Sequence, residues 1–539
     1  MPVTPRGEEK FYTFEFEGLR VKFSSYGAAI SSWELLSERM IDHSGKTPKP
    51  ENLIRVDNDK YDFLRVWFED STYDIPQGAE WLGEKKSDTE IRFTWESKDI
   101  RVVKDITLYP EDYLAVMKVS VDLVGAKEAK QALAVSFYSE QDPNVESGGM
   151  FDRVSREWKA TCYYDEELHT KSSKSLAKKG EKKRTGAIRW GGFDHAYFLA
   201  AGAIEGGKDA RIECNSYPLE GVVGGMGIDL IQDRVELKSG DPGLRSTMAL
   251  YLGPKYMESL RATKTITEID SKFEESVDLG FLGIIAGPLL GLLNFFQSFV
   301  INWGLAILLL TLVVKGLTLP WTHKSMKSMK AMAKLKPQLE KIKEKYKDDR
   351  ARQNVETMNL FKTHKVNPMS GCLPMLLQMP IWFALYRALT VSGQLYQAPF
   401  IPGWIDDLTL PDPFYIMPVL LTGMMFLQTR MTPSTGSGAQ QKMLMYGMPI
   451  MFGAFSFVFP SGLTLYIFTN TCFTAAHHLY MHKTDPNPVV AAAADAAIDV
   501  ESSEPASDSD ETADKPKKSA SSKKKKSSKG SGKGKKRNR

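Results

Sequence analysis

Apolar and polar positions follow different rules in different parts of this chain. Up to about residue 275 they alternate one by one, most clearly in 12–23 (YTFEFEGLRVKF), 90–95, 102–108 and 114–123, with Gly, Pro and Asp between the runs. Such alternation sets one face of a strand on a core and the other in water, which predicts antiparallel strands. Many short strands in one long region predict a single large sandwich. From 281 to 482 the apolar residues come instead in long runs, and the remainder is low complexity.

A helix needs about 20 mostly apolar residues to cross a bilayer. The run 295–320 (FFQSFVINWGLAILLLTLVVKGLTLP) is long enough and predicts a first span at about 300–320. Further spans are expected at about 372–391, 414–430, 443–459 and 463–481. Several are short and carry Pro, which membrane helices tolerate where neighbours cover the freed backbone groups. The preceding 276–299 is apolar and Gly-rich with Pro288 inside, and predicts a helix lying on the membrane surface. Between the first two spans, 321–366 has helical periodicity: Met326, Met329, Met332, Leu335, Leu339, Ile342 and Tyr346 form one stripe, and Val355, Met358 and Phe361 a shorter one. Facing stripes predict an antiparallel helical hairpin, and its Met content suits a surface that meets many partners.

Composition alone, 42% hydrophobic and 25% charged, would pass for a soluble protein because it averages unlike regions. The net charge of +4 likewise hides local blocks. Lys and Arg crowd 324–365, Arg430 and Lys442 flank the next loop on the same side, and His482 and Lys483 follow the last span. The opposite loop, 392–413, has no Lys or Arg and carries Asp406, Asp407 and Asp412. With five spans, the positive-inside rule then puts the sandwich (1–275) outside and the C-terminus in the cytoplasm. Arg387 runs against this trend. A translocated domain requires a signal or anchor span, whereas the chain opens MPVTPRGEEK, so a preceding piece is expected to be missing.

Catalytic chemistry is not in evidence. His43, His169 and His195 are scattered without a nucleophile or carboxylate at recognisable spacing, and Cys162, Cys214, Cys372 and Cys472 match no metal-ligand or CxxC spacing. No enzyme activity, metal or cofactor is therefore expected. A sugar-modifying enzyme of mutarotase type is the alternative that a large sandwich suggests by analogy. Cys162 and Cys214 pair only if their domain lies in an oxidising compartment. The basic run 171–184 reads as a mobile, solvated loop. In 483–539, an acidic linker leads into a tail of almost only Lys, Ser and Gly, including Lys523, Lys524, Lys525 and Lys526. Its targets are ribosomal RNA phosphates or the anionic lipid bilayer.

Lys315 is the one charge inside the first span. A charged side chain near the bilayer centre is costly and usually faces protein or water, which makes it a functional candidate. Against that, Pro320 is close and the stem is long enough to snorkel to the interface.

The runs NWGLAILLLTLVVKGLTLP, KVNPMSGCLPMLLQMPIWFALYRAL, QAPFIPGWIDDLTLPDPFYIMPVL, QQKMLMYGMPIMF and FPSGLTLYIFTN together resemble the membrane protein insertases of the YidC type, over about 275–482. The N-terminal sandwich resembles the periplasmic domain of the Gram-negative members. The resemblance implies an α-helical polytopic membrane protein, a five-span insertase core with a cytoplasmic hairpin, plus an N-terminal all-β supersandwich domain. It implies a hydrophilic groove open to the cytoplasm and the lipid but closed to the periplasm. Lys315 falls where the family usually carries Arg: the charge is kept and the bidentate fork is lost. Thr311 and Gln378 become groove groups that hydrogen-bond a polar segment, although Gln378 fits an interhelical bond as well. Trp382 and Tyr466 become contacts for the substrate helix, or else packing residues. The partners implied are nascent membrane proteins, the Sec translocon and the ribosome, with the protein working as a monomer in the bacterial inner membrane. From another class, the alternative is a channel or transporter in which Lys315 selects an anion; its paired inverted repeats are not visible.

Overall fold

The period-two half of the chain forms antiparallel sheets. In a computed structural model that describes residues 8–42, 47–56, 61–142, 157–207, 211–367, 373–431 and 443–484, the largest sheet has nine strands. They run in the order Glu167–Ser172, Lys159–Tyr164, Ile188–Asp194, Phe198–Ile204, Leu244–Pro254, Leu114–Leu123, Ile100–Tyr109, Glu90–Glu96 and Leu82–Lys85. One face of this sheet, with Val102, Ile106, Met117 and Val119, packs on two five-stranded sheets through Phe14, Val21 and Phe23 of one and Val135, Phe137 and Ile228 of the other. The strand Ile100–Tyr109 buries every second residue without exception, as its sequence predicts. The run 12–23, read as one alternating stretch, is a hairpin of Phe11–Glu15 and Leu19–Ser24.

Ten helices are labelled among the described residues. The first two belong to the β-module: α1 (Ser173–Lys179) and α2 (Met257–Thr267). Leu260 of α2, with Phe273 and Val277, covers the outer face of the nine-stranded sheet at Trp190, Leu199 and Tyr251. The basic run expected to be a mobile loop is instead ordered. It runs from a strand into α1, capped by the Ser172 hydroxyl on the Ser175 amide, and on into the strand Lys182–Gly186. Leu176, alone among the lysines, is what anchors it: this residue is buried in the sandwich core.

Cys162 and Cys214 form a disulfide between the nine-stranded sheet and the five-stranded sheet that holds Ile212–Pro218, with Cα atoms 6.3 Å apart. Gly191 makes the room, since a Cβ there would lie 2.9 Å from the Cys214 sulfur.

Lys104 occupies an inward position of its strand and is wholly buried. Its Nζ donates to the carbonyls of Ala28 (2.6 Å) and Leu64 (2.7 Å), tying together two loops that turn through left-handed backbone at those residues. A neutral amine has two N–H donors, and two acceptors await them. Burial accordingly pulls the Lys104 ammonium down to about 7, with Asp62 opposing the shift only in part. Between that value and the ordinary lysine range the unfolded chain binds the extra proton, so stability of the β-module should rise with pH over this window. Lys104→Met should abolish this slope and strand two carbonyls at about 1–3 kcal/mol each. Thermal melting followed by circular dichroism at about pH 7 and about pH 9.5 reads both effects.

The apolar half of the chain is helical: α3 (Gly283–Val300), α4 (Trp303–Lys334), α5 (Lys336–Lys345), α6 (Arg350–Thr363), α7 (Leu373–Val391), α8 (Ile416–Met431), α9 (Met448–Ser456, entered through a π-helical turn) and α10 (Ser461–Thr484). By length and composition, Gly280–Val300 and Trp303–Lys334 suffice to cross a bilayer, and Leu376–Val391 is a shorter apolar helix. α3 continues through Pro288. Both its ends are tied to one end of the bundle. Asp278, just before α3, accepts from Arg387 near the end of α7, and the Asn302 amide, just after α3, donates to the Phe400 carbonyl in the loop that follows α7. The helix therefore lies across that end of the bundle.

α4 runs on past Pro320 into the hairpin, where Met332, Leu335, Leu339, Phe361 and Val366 pack together with Met329. Met326 is buried further back on α4. Val355 and Met358, expected to face this seam, are 57% and 46% exposed; only Phe361 of their stripe is buried in it. Cys372 and the tail lysines 523–526 lie outside the described residues.

Candidate functional site: a polar seam between two helices

α4 and α10 each change character halfway along. On α4, Trp303, Ile307 and Leu310 pack with Leu463, Tyr466 and Ile467 of α10 and Leu385 and Leu389 of α7 in one apolar cluster. Beyond it α4 carries Thr311, Lys315, Thr318, Thr322 and His323, while α10 carries Asn470, Thr471, Thr474, His477 and His478. The apolar half lies at the end joined to the β-module and the polar half leads toward the hairpin.

Lys315 sits at the start of the polar half and is half-buried. Its Nζ donates to Asn470 Oδ1 (3.1 Å) and Thr474 Oγ1 (2.7 Å) across the seam. The Thr474 hydroxyl donates its own proton to the Asn470 carbonyl (2.7 Å), which turns its lone pairs toward the ammonium. An ammonium has three N–H donors, and both partners here are neutral. Among the described residues no carboxylate pairs with Lys315, so the seam holds one uncompensated cation with a spare donor. These bonds draw the side chain inward across the seam.

The other expected groups are placed differently. Thr311 is buried on the same face of α4, its hydroxyl bonded to the Ile307 carbonyl (2.7 Å). Gln378 donates to the Tyr466 hydroxyl and so links α7 to α10. Tyr466 is 0% exposed, in the middle of the apolar cluster, which is the packing alternative and leaves it out of reach of a passing helix. Trp382 is half-buried, edge-on to Phe452 of α9 with ring centroids 5.3 Å apart. The Lys315 partners Asn470 and Thr474 were not singled out by sequence. Their i, i+4 spacing, three residues ahead of His477, was the available signal.

At the opposite end the bundle is capped. Asp412, expected only as part of an acidic loop, accepts from the Trp404 indole (2.9 Å) and the amides of Phe414 (3.0 Å) and Met417 (2.7 Å), fixing the entry to α8. Ser461 and Gly462, which open α10, donate to Leu410 and Leu408 of the same loop. The loop also enters the β-module. Tyr396 is only 5% exposed against Tyr197 and Phe198, and Arg39 donates to the carbonyls of Gln394 (2.7 Å) and Tyr396 (2.6 Å). Burial lowers the Arg39 guanidinium below its usual value, with Tyr256 and Asp407 opposing. Gly393 passes so close that a Cβ would lie 2.6 Å from the Lys255 backbone nitrogen. Arg387, the cation that broke the charge asymmetry, is paired here with Asp278 at 2.9 Å.

A β-sandwich module docked on one end of an apolar helical bundle, with a cation in a polar seam, defines a membrane protein with a domain outside the bilayer. The family described as YidC periplasmic domain matches residues 12–292, and the family described as 60Kd inner membrane protein matches 295–487. The membrane protein insertase YidC of Anaeromyxobacter sp. (strain Fw109-5) is 33% identical over 485 residues, covering 87% of this chain and 84% of that protein. Its counterpart in Nitratidesulfovibrio vulgaris (strain DSM 19637 / Miyazaki F) is 35% identical over 399 residues, 72% and 70% of the two chains. A crystal structure of an active YidC insertase with its first transmembrane domain resolved is similar at 18% identity and TM-score 0.37, covering 88% of this chain and 93% of that one. The chain belongs to the YidC family of membrane protein insertases.

Proposed function

We propose that this chain inserts nascent inner-membrane proteins by receiving their polar segments in the seam between α4 and α10. The observation that carries this reading is Lys315, a cation held by neutral oxygens of Asn470 and Thr474 with no carboxylate partner among the described residues. A hydrated seam entering the bilayer from one side shortens the hydrocarbon that a polar tail must cross, and Lys315 attracts acidic residues in that tail. The substrate's apolar helix then leaves sideways into lipid, with Trp382 on the exit path; the step is partition and makes or breaks no covalent bond. The apolar half of the bundle and the docked loop 392–413 seal the other end.

In this reading the β-module and loop 392–413 face the periplasm, α3 lies on that membrane surface, and five spans carry the chain to a cytoplasmic hairpin and C-terminus. The disulfide Cys162–Cys214 supports that orientation, because such bonds persist in oxidising compartments. The protein acts alone or beside the Sec translocon, as a monomer, with the basic tail holding the ribosome near the seam. Reconstitution tests it: proteoliposomes containing the protein should insert a short single-span protein with an acidic translocated tail, and insertion no better than into bare lipid would overturn the reading.

A further inference from the structure

Beyond Lys315 the seam carries a second ionisable group that the insertase reading does not use. His323 of α4 and His477 of α10, both half-buried, face each other with Nδ1 and Nε2 3.4 Å apart. Two imidazoles at this separation share one hydrogen bond, one ring donating and the other accepting, so at least one of them is neutral. The other nitrogen of His477, Nδ1, is buried without a partner among the described residues. Lys315 stands on the same seam, and no carboxylate pairs with either ring among the described residues. Elsewhere around the seam, Lys330 is bonded to the Met481 carbonyl, Arg387 of α7 sits at the β-module end with Asp278, and α8 offers Arg430. A metal ion is a poorer occupant, since no third His, Cys, Asp or Glu joins the pair among the described residues.

Histidine changes charge near neutral pH, and an adjacent carboxylate favours its charged form. A second proton on the pair sets two N–H groups against each other unless an anion comes between them. We propose that His323 and His477 are a second, proton-loaded station for carboxylate-bearing polar segments of the substrate, placed beyond Lys315 on the same seam. This rests on the insertase reading and names the substrate chemistry that the seam favours. An arriving Asp or Glu replaces the bond between the rings and each imidazole turns an N–H to it, which two neutral rings can supply as tautomers; the carboxylate then favours one further proton on the pair, taken up from bulk solution as pH falls. Acidic segments are thereby received at two positions, about 12 Å apart along α4 at the rise of a helix, and lower pH favours their capture.

The experiment is insertion into proteoliposomes of one single-span protein in two versions, one with an acidic tail and one with its Asp and Glu replaced by Asn and Gln. The readout is the ratio of acidic to uncharged insertion in the same vesicles, so that general loss of folding or activity divides out. For the wild type this ratio should rise roughly threefold or more from about pH 8 to about pH 6. In His323→Gln, His477→Gln and the double variant the rise should be lost. A double variant that keeps the wild-type profile, while Lys315→Gln still lowers the ratio, overturns the station and leaves the insertase reading standing. A rise for both tails alike also overturns it. Wild type that inserts neither version overturns both.

Discussion

Lys315→Ala is expected to lower insertion of a protein with an acidic translocated tail by about tenfold or more, and Lys315→Arg to keep most of it. The side chain reaches across the seam to Asn470 and Thr474 and leaves one donor and a full charge unmatched among the described residues. A hydrogen bond to a charged group contributes about 1.5–3 kcal/mol, and 1.4 kcal/mol is a factor of ten, so one lost contact with a substrate carboxylate accounts for the expected drop. Arg preserves positive potential and adds a fork, so attraction survives the exchange. Insertion by Lys315→Ala equal to wild type would mean that the cation is merely parked in the seam.

Tyr396→Ala should be the most damaging change outside the seam. The ring fills a gap in the β-module between Tyr197 and Phe198, with centroids 4.9 and 5.0 Å away, yet it belongs to the loop after α7. Removing a buried aromatic side chain costs about 3–5 kcal/mol. Here the cavity also unfastens the module from the bundle, because the Arg39 bonds to Gln394 and Tyr396 depend on the same loop path. Purified Tyr396→Ala should melt several degrees lower and be cut by protease within 392–398. Arg39→Met added to it should cost less than it does alone, since contacts that share one anchor are not additive. Wild-type melting and protease resistance in Tyr396→Ala would show that the loop is held by something else.

Much of this was legible in the chain. Alternation gave the strand Leu114–Leu123 to the residue, and the apolar runs placed the starts of α4, α7, α8 and α10 within a few positions, although α4 continues past Pro320 to Lys334. Local periodicity is a property of consecutive residues, so it survives without knowledge of the partner. What failed depends on the partner. Val355 and Met358 fit a helical stripe, but the facing helix is short and Phe361 alone meets it. For Tyr466 the sequence left substrate contact and packing open, and only the Gln378 bond from another helix shows its hydroxyl placed inside the bundle. The basic run containing α1 has the composition of a loop, and one buried leucine is enough to pin it. At the seam, Lys315 stood out because a charge in an apolar run is rare. Asn470 and Thr474 did not, since Thr is common in membrane helices and their meaning appears only when the cation lies opposite.

If polar segments pass through the seam between α4 and α10, groups on that seam must touch them in transit. Site-specific photocrosslinking tests this contact most directly, with a photoreactive side chain placed at 474 on the seam or, as a comparison, at 293 in the apolar cluster, during insertion of the acidic-tailed protein. The probe at 474 should capture the translocated tail and the probe at 293 should not. Capture of the tail at neither position, while insertion proceeds, would contradict passage through the seam.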